Sequence, residues 1–238
     1  MKKILQSFFA SIGYDVFQRD ARNHPELCAK RLADREGVGT VLDVGANKGQ
    51  YAKTLRSWGY QGKIVSFEPL SAAHGLLSQA AAGDPKWTVA PRCAVGADRS
   101  LSQINISANS VSSSLLDMLE AHRQAHPASG YISKEEVEIR TLDELANELC
   151  GADEKFFLKI DTQGYESAVL EGASQTLNRC AALQLELSLA PMYAGGMLLE
   201  EGLAKLQGLG FRPYATFLAF CDRFTGETYQ LDVVFVRQ

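Results

Sequence analysis

The segment TVLDVGANKGQ, residues 40–50, constrains the fold of this chain more than any other feature. Its first five residues are apolar or β-branched except for one aspartate, which is typical of a buried strand. Gly45 and Gly49 then allow a tight turn before a helical pattern begins. A strand that turns directly into a helix is a unit of a parallel α/β sheet, and such a turn brings bare backbone close to a ligand. The segment therefore predicts a nucleotide-type cofactor site.

Apolar β-branched segments alternate with helical patterns from residue 40 onward. Near-continuous apolar strands joined by helical crossovers predict a mostly parallel sheet with helices on both faces. The last two strands flank the turn-rich loop CDRFTGET, so the sheet is expected to end in an antiparallel hairpin. The predicted strands are 40–44, 63–67, 87–91, 156–160, 182–187, 212–220 and 229–238, and the predicted helices are 51–58, 72–81, 166–177 and 198–210.

Two regions fall outside this alternation. Residues 101–140 contain strand-like ends around a serine-rich turn and a helix, and an insertion this long in a compact domain is usually functional. Residues 1–37 begin with an amphipathic pattern, so we expect an N-terminal helical arm ahead of a single domain over 38–238. The arm is expected to pack on the domain or on a second subunit in a homodimer, with attachment to a membrane surface as the alternative.

Composition and residue spacing argue against several classes of function. The formal net charge of -4 gives no electrostatic footprint for nucleic acid. The five cysteines have no CxxC spacing, so we expect reduced thiols and a cytoplasmic location. The N-terminal apolar run is too short for a transmembrane segment. His122 and His126 share a helix face, but no HExxH glutamate lies between them, so no metal site is predicted.

The glycine spacing distinguishes between two adenosine cofactors. A dinucleotide site needs GxGxxG, because a pyrophosphate must approach bare backbone. Here Asn47 replaces the second glycine, which suits S-adenosylmethionine, whose methionine end carries no phosphate. Glu68 follows the second predicted strand, where a carboxylate accepts hydrogen bonds from ribose hydroxyls in both cofactor classes. Asp43 and Asp161, at strand ends, are candidates for stabilising the sulfonium cation in the same crevice.

Several motifs together resemble the FkbM-type methyltransferases. They are VLDVGANKGQYAKTLRSWGYQGKIVSFEPL, NSVSSSLL, TLDEL, FLKIDTQGYESAVLEGA and GFRPYATFLAFCDRFTGETYQLDVVFVR. Their order and spacing match the family over roughly residues 38–237, and KIDTQGYE is the most distinctive of them. The resemblance implies a Rossmann-like class I methyltransferase fold with a seven-stranded sheet. It also implies S-adenosylmethionine-dependent O-methylation of a hydroxyl on a sugar or a polyketide-type small molecule.

The resemblance, carried over by position, also implies a set of cofactor-binding residues. The methionine end would lie against the first glycine turn, the ribose against Glu68 and Pro69, and the adenine beside residues 93–95. Asp161 would stand next to the methyl-transfer centre. The implied set is Asp43, Gly45, Ala46, Asn47, Gly49, Gln50, Glu68, Pro69, Cys93, Ala94, Val95 and Asp161.

Three residues are candidates for a catalytic base. An aliphatic hydroxyl has a pKa of roughly 16, like water, and needs a base as its new bond forms. Asp161 is suited to this role or to orienting the cofactor's amine, and we favour orientation. Glu186 lies near the end of the fifth predicted strand, and His122 lies in the insertion with a ring suited to proton abstraction. Residues 112–114, all serine, are either hydroxyl donors to cofactor or substrate or a helix N-cap.

The competing interpretation is a partner protein that keeps the fold and binds the cofactor without turnover. Its signature would be the loss of Glu68 or of the glycine turn. Both are intact in this sequence, which favours an enzyme.

Overall fold

The computed structural model describes residues 2–16, 19–222 and 224–238. Met1, Phe17 and Gln18 of the predicted arm and Arg223 of the predicted hairpin loop lie outside the described residues. The strands in this part of the chain are β1 (Thr40–Val44), β2 (Lys63–Phe67), β3 (Trp87–Val89), β4 (Ala94–Val95), β5 (Ser100–Ser107), β6 (Tyr131–Arg140), β7 (Phe156–Ile160), β8 (Cys180–Ser188), β9 (Phe211–Cys221) and β10 (Thr228–Arg237).

Most of the described helices pack on one or the other face of the main sheet. The described helices are α1 (Lys2–Ser11), α2 (Pro25–Glu36), α3 (Gln50–Ser57), α4 (Ser71–Ala81), α5 (Glu120–Ala125), α6 (Leu142–Leu149), α7 (Glu166–Glu171), α8 (Ser174–Asn178) and α9 (Leu199–Gly208). Buried side chains of α2, α3 and α4 form one hydrophobic core with the sheet. Those of α6, α7, α8 and α9 form another core.

The main sheet has seven strands in the order β3-β2-β1-β7-β8-β10-β9. The pairs from β3 to β8 are parallel, whereas β10 runs antiparallel to both β8 and β9. Every residue of β1 and β7 is buried, as expected for central parallel strands covered on both faces. The predicted mostly parallel seven-stranded sheet with a C-terminal antiparallel hairpin is confirmed.

The strand register brings a row of polar side chains to one face of the sheet. Asp43 pairs with Lys159, and Lys159 pairs in turn with Gln184. Glu186 pairs with Asp232 of the antiparallel strand β10. Since paired residues point to the same face and alternate residues share it, these five side chains lie on the face covered by α2 and α3. The fold therefore places ionisable groups beneath the carboxyl ends of the central strands.

The predicted helix over 166–177 is wrong as a single element, because the chain forms α7 and α8 with a break between them. Gly172 in the break lies so close to Gly96 that a Cβ there would come within 2.0 Å of the Gly96 carbonyl oxygen. Asp143 of α6 caps the N-terminus of α8. Its carboxylate accepts hydrogen bonds from the backbone N–H groups of Gln175 and Thr176 at 2.9 and 2.7 Å.

The strand-like ends of the insertion form β5 and β6, which make a second sheet together with β4. Its three strands have the order β4-β6-β5. The helical part is only α5, followed by a 3-10 turn at Pro127–Ser129. Side chains of Ser107, Asn109 and Ser112 bond to one another and to nearby backbone, which holds the serine-rich segment as a turn. The helix N-cap interpretation of residues 112–114 is wrong, because α5 begins at Glu120.

Large apolar side chains in and just after the N-terminal helix α1 are exposed. Leu5, Phe8 and Ile12 are 51%, 61% and 55% exposed. These three side chains are therefore not buried on the domain, whereas α2 buries Leu27 and Leu32 against the sheet. No helix among the described residues is both long and apolar enough to cross a membrane.

Candidate active site

A cavity opens at the carboxyl ends of β1, β2 and β7. One end lies against the glycine turn and the segment 93–95, and residues of the insertion close it from the other side. The same cavity also extends between α2, α3 and the sheet face that carries the row of polar side chains, and we call this part of the cavity the polar arm. The insertion contributes Ile104, Ser110, Val111, Ser113 and Leu115, and the polar arm is lined by Glu26, Tyr51, Thr54, Lys159, Gln184 and Asp232.

The glycine turn at residues 45–49 depends on left-handed backbone and on close packing. Gly45 has φ 77°, and a Cβ there would lie 1.8 Å from the Asp161 carbonyl oxygen. Asn47 also has positive φ, at 47°, a conformation that asparagine tolerates better than most residues. Gly49 packs against the Trp87 ring and does not line the cavity. Residues 45–47 of the turn therefore line the cavity, whereas Gly49 is packed against Trp87.

Glu68 is a buried carboxylate at the end of β2, with 4% of its surface exposed. It accepts hydrogen bonds from the backbone N–H groups of Asn47 at 2.8 Å and Leu70 at 2.9 Å. Burial raises the pKa of Glu68 to about 7, although the two backbone hydrogen bonds act in the opposite direction. Each carboxylate oxygen keeps a further acceptor site, so Glu68 can still bind two hydroxyl donors.

Asp43 does not face the crevice, contrary to the sequence-based expectation. Its side chain is fully buried, and Oδ1 lies 3.3 Å from Nζ of Lys159. The same Nζ donates to the Gly45 carbonyl at 3.0 Å and lies 3.6 Å from Asp161 Oδ2. Burial lowers the pKa of Lys159, but the charges of Asp43 and Asp161 raise it more, so the pKa lies above its ordinary value. Lys159 therefore stays cationic and ties the ends of β1 and β7 together.

Asp161 and Glu186 are bridged by one amide. Nε2 of Gln163 donates to Asp161 Oδ1 at 2.9 Å and to Glu186 Oε2 at 2.8 Å. Gln230 donates to the same Glu186 oxygen at 2.7 Å. Burial and the neighbouring charges of Asp161 and Asp232 raise the pKa of Glu186 well above its ordinary value. Asp161 lines the cavity, whereas Glu186 does not.

The polar arm contains residues that the sequence analysis missed. The Tyr51 hydroxyl donates to Gln184 Oε1 at 3.2 Å, and Gln184 in turn hydrogen bonds to Asp232. Burial raises the pKa of Asp232 to about 6, and the Gln184 hydrogen bond limits that shift. In the sequence these residues look like ordinary polar positions of alternating strands. The apolar residues around Gln184 indicate that this strand is buried. Only the register of β8 with β10 shows that Gln184 and Asp232 line one cavity.

With the geometry of the cavity in place, comparison with known protein families decides its interpretation. The sequence profile of the Methyltransferase FkbM domain matches residues 43–213, well over half of the chain. The chain belongs to this family. FkbM methyltransferases use S-adenosylmethionine, so both the family and the cofactor expected from the sequence motifs are confirmed. A comparison with curated proteins found no significant match.

Solved structures of methyltransferases resemble the FkbM fold described above. The plantazolicin methyltransferase BamL is 8% identical, with a TM-score of 0.50 over 90% of this chain and 83% of its own. The 1,6-didemethyltoxoflavin-N1-methyltransferase of Burkholderia thailandensis is 13% identical, with a TM-score of 0.48 over 100% of this chain and 88% of its own. The mitomycin 7-O-methyltransferase MmcR is 12% identical, with a TM-score of 0.45 over 90% and 53%. The strand order and the BamL match confirm the class I methyltransferase fold.

The FkbM cavity brings most of the expected cofactor residues together. All of them line it except Asp43, which pairs with Lys159, and Gly49, which packs on Trp87. The residues present suit an adenosyl ligand, because the open backbone at Gly45 lies beside a buried carboxylate with free acceptor sites at Glu68. The residues that line the cavity are Gly45, Ala46, Asn47, Gln50, Glu68, Pro69, Cys93, Ala94, Val95 and Asp161.

His122 does not reach the FkbM cavity. It is 3% exposed, and the centroid of its ring lies 5.1 Å from that of the Tyr193 ring and 5.9 Å from that of the Phe220 ring. Burial and the nearby His126 lower the pKa of His122 to about 4. The interpretation of His122 as a catalytic base is therefore wrong, because the hairpin strand β9 covers the ring. Within the described residues, no three His, Cys, Asp or Glu side chains are arranged to hold a metal ion.

Replacement of Lys159 with methionine is expected to destabilise the fold strongly. It leaves Asp43 buried without its cation, and the loss of one partner of a buried ion pair costs about 3–5 kcal/mol. Urea unfolding of Lys159→Met, Asp43→Leu and the double variant measures this cost. We expect the double variant to recover most of the loss. A loss below about 1 kcal/mol in Lys159→Met would show that the pair does not organise the strand ends.

The raised pKa of Glu186 predicts a stability that falls with increasing pH. A group whose pKa is raised by folding stabilises the native state fully below its ordinary value of 4.5, and this contribution is lost as pH rises through the folded pKa. Between pH 5 and 8, the melting temperature of Glu186→Gln should therefore fall less than that of the wild type. The raised pKa values of Glu68 and Asp232 also make stability fall with rising pH, in both proteins alike. The lowered pKa of His122 has the opposite effect on stability in both. Equal slopes for Glu186→Gln and wild type would contradict the raised pKa of Glu186.

Proposed function

We propose that this FkbM protein is an O-methyltransferase that transfers a methyl group from S-adenosylmethionine to a hydroxyl of a small molecule, such as a sugar or a polyketide-type acceptor. One observation carries the proposal. A single cavity connects the glycine turn and Glu68 to a polar arm that contains Gln184 and Asp232, with Asp161 between them. Such a cavity can hold a cofactor at one end and a hydroxyl-bearing acceptor at the other.

The cofactor end is made of backbone and one buried acid. Gly45 and Asn47 would face the methionine end, Glu68 would accept hydrogen bonds from the ribose hydroxyls, and residues 93–95 would flank the adenine. Bound S-adenosylmethionine supplies an activated methyl group on a sulfonium. The protein's residues hold the reacting groups in place, and positioning of this kind can lower a barrier by several kcal/mol, up to about 7–11 in ideal cases.

The acceptor end is dominated by hydrogen-bond acceptors. Asp161 and Asp232 are carboxylates, and Gln184 adds an amide. Lys159, which lies against Asp43 and Asp161, is the single cation among the described residues that line the cavity, and the carboxylates of Glu26, Asp161 and Asp232 outnumber it. This arrangement suits donors such as alcohol hydroxyls and disfavours phosphate groups. Asp161, whose backbone carbonyl lies against Gly45 and which lines the cavity, is the residue we assign to orient the cofactor's amine or to accept the hydroxyl proton.

Methyl-transfer assays test the reaction class. The purified protein is incubated with methyl-labelled S-adenosylmethionine and matched acceptor sets that carry hydroxyl, amine or thiol groups on the same sugar or polyketide-type framework. We expect label only in the hydroxyl set. Label confined to amines or thiols would overturn O-methylation. Cofactor binding without transfer to any set would instead support a binding partner that lacks turnover.

Replacement of Glu68 with alanine is expected to weaken cofactor binding. Loss of hydrogen bonds to a charged group costs about 1–3 kcal/mol, so the Kd for S-adenosylhomocysteine should rise correspondingly. Calorimetry gives this value directly. Because Glu68 also accepts backbone hydrogen bonds from the turn, the melting temperature is recorded as a control for folding. An unchanged Kd would remove Glu68 from the ribose role.

The variant Asp232→Asn tests whether Asp232 binds the acceptor and not the cofactor. We expect the KM for the acceptor to rise about tenfold, which corresponds to ~1.4 kcal/mol, while the Kd for S-adenosylhomocysteine changes little. The exposed residue Asp153 provides the matched control Asp153→Asn. A rise in the cofactor Kd without a change in acceptor KM would place Asp232 at the methionine end instead.

A further inference from the structure

The loop after β7 holds Gln163 through an unusually complete set of contacts. Its amide nitrogen donates to both Asp161 and Glu186. Its amide oxygen accepts a hydrogen bond from the Tyr193 hydroxyl at 2.7 Å. Both hydrogens and one acceptor site of this amide are therefore engaged, and we call Gln163 with Tyr193 the Gln163 clamp. Neither residue is part of the binding set expected from the motifs.

The backbone of the Gln163 clamp is fixed as firmly as its side chain. Gln163 has φ 55°, in the left-handed region, and its carbonyl accepts a hydrogen bond from Ser114 Oγ at 2.7 Å. Gly164 follows with φ 100°, and a Cβ there would lie 2.8 Å from Cβ of Tyr193. Glu166 accepts hydrogen bonds from the N–H groups of Thr162 and Gly164 at 2.9 and 3.1 Å. The insertion and the segment after β8 thus press on this loop from two sides.

The contacts to Asp161 come from opposite sides of its carboxylate. Gln163 Nε2 binds Oδ1, while Oδ2 lies 3.6 Å from Lys159 Nζ. The amide reaches both acids only when its nitrogen faces them, and in that orientation its oxygen accepts the hydrogen bond from the Tyr193 hydroxyl, which also lies 3.4 Å from the Ser112 carbonyl oxygen. Without the Tyr193 hydroxyl the amide loses the hydrogen bond that holds its oxygen, so its nitrogen is free to shift away from the Asp161 carboxylate.

We propose that Gln163 and Tyr193 are positioning residues, which orient the Asp161 carboxylate toward the cavity through one shared amide. The proposal deepens the proposed function, because it assumes that Asp161 faces the methyl-transfer centre. In this arrangement Glu186 supports Asp161 from behind and is not itself the base. The clamp connects the insertion, the loop after β7 and the segment after β8 at a single side chain.

Two tyrosines provide a matched pair of variants. Tyr193→Phe removes the hydroxyl that orients Gln163. Tyr131 lies in the same cluster, and its hydroxyl donates to the Leu116 carbonyl at 2.8 Å, without a hydrogen bond to the clamp. Tyr131→Phe therefore removes a hydroxyl hydrogen bond of similar length and leaves the amide in place. Gln163→Met, of similar length but without the amide, is the third variant.

The kinetic readout is the split between kcat and KM. A misplacement of about 1 Å can cost up to 10²-fold in rate. We expect Tyr193→Phe to lower kcat about tenfold or more, with acceptor KM and the Kd for S-adenosylhomocysteine within about threefold of wild type. Gln163→Met should lower kcat at least as much, while Tyr131→Phe should keep wild-type kcat. Equal kcat in the two phenylalanine variants would overturn the proposal.

A structural readout keeps this test separate from the proposed function. Crystal structures of wild type and both phenylalanine variants with S-adenosylhomocysteine report the direction of the Asp161 carboxylate directly. We expect it to rotate in Tyr193→Phe alone. If wild type transfers no methyl group to any hydroxyl acceptor, the proposed function fails, and the crystal structures still decide the inference. An Asp161 carboxylate that keeps its orientation in Tyr193→Phe overturns the clamp whatever the activity.

Discussion

The buried cation of Lys159 is the interaction on which the rest of the site depends. It lies beneath the carboxyl ends of β1 and β7, beside Asp43 and Asp161, and it binds the carbonyl of Gly45. A lone ammonium in this position would be costly, and so would the fully buried Asp43 carboxylate without it. The arrangement is stable because each charge has a partner. It also explains why Asp43 has a structural role as the buried partner of Lys159, while Asp161 remains available at the cavity.

Around this charge the chain builds two environments at one crevice. Above β1 and β2, glycine backbone and the buried Glu68 carboxylate form a surface suited to an adenosyl group. Above β7, β8 and β10, the register collects carboxylates and amides, including Asp232. The two environments meet at Asp161. A parallel sheet makes this arrangement available because its strands end at a common edge, where connecting loops are free to vary.

Much of the fold follows from local patterns. The bounds of β1, β2 and β7 match the predicted strands, because buried central strands carry an uninterrupted apolar signal. The helix break at Gly172 was not predictable, since it depends on the distant backbone of Gly96. The role expected for His122 failed for a related reason. Helical spacing says which residues share a face, but not that Phe220 will cover that face.

The sequence by itself determined the family through its motifs, and it determined the cofactor and the parallel architecture because glycine spacing, strand-end acids and apolar periodicity are local properties of the chain. Tertiary structure alone decided which acid is buried, which is paired and which faces the cavity. Asp43 and Asp161 look equivalent as aspartates at strand ends, yet Lys159 and Gln163 give them different surroundings. Electrostatic environment depends on distances between segments remote in sequence, and those distances are fixed only when the strands pair and the loops pack.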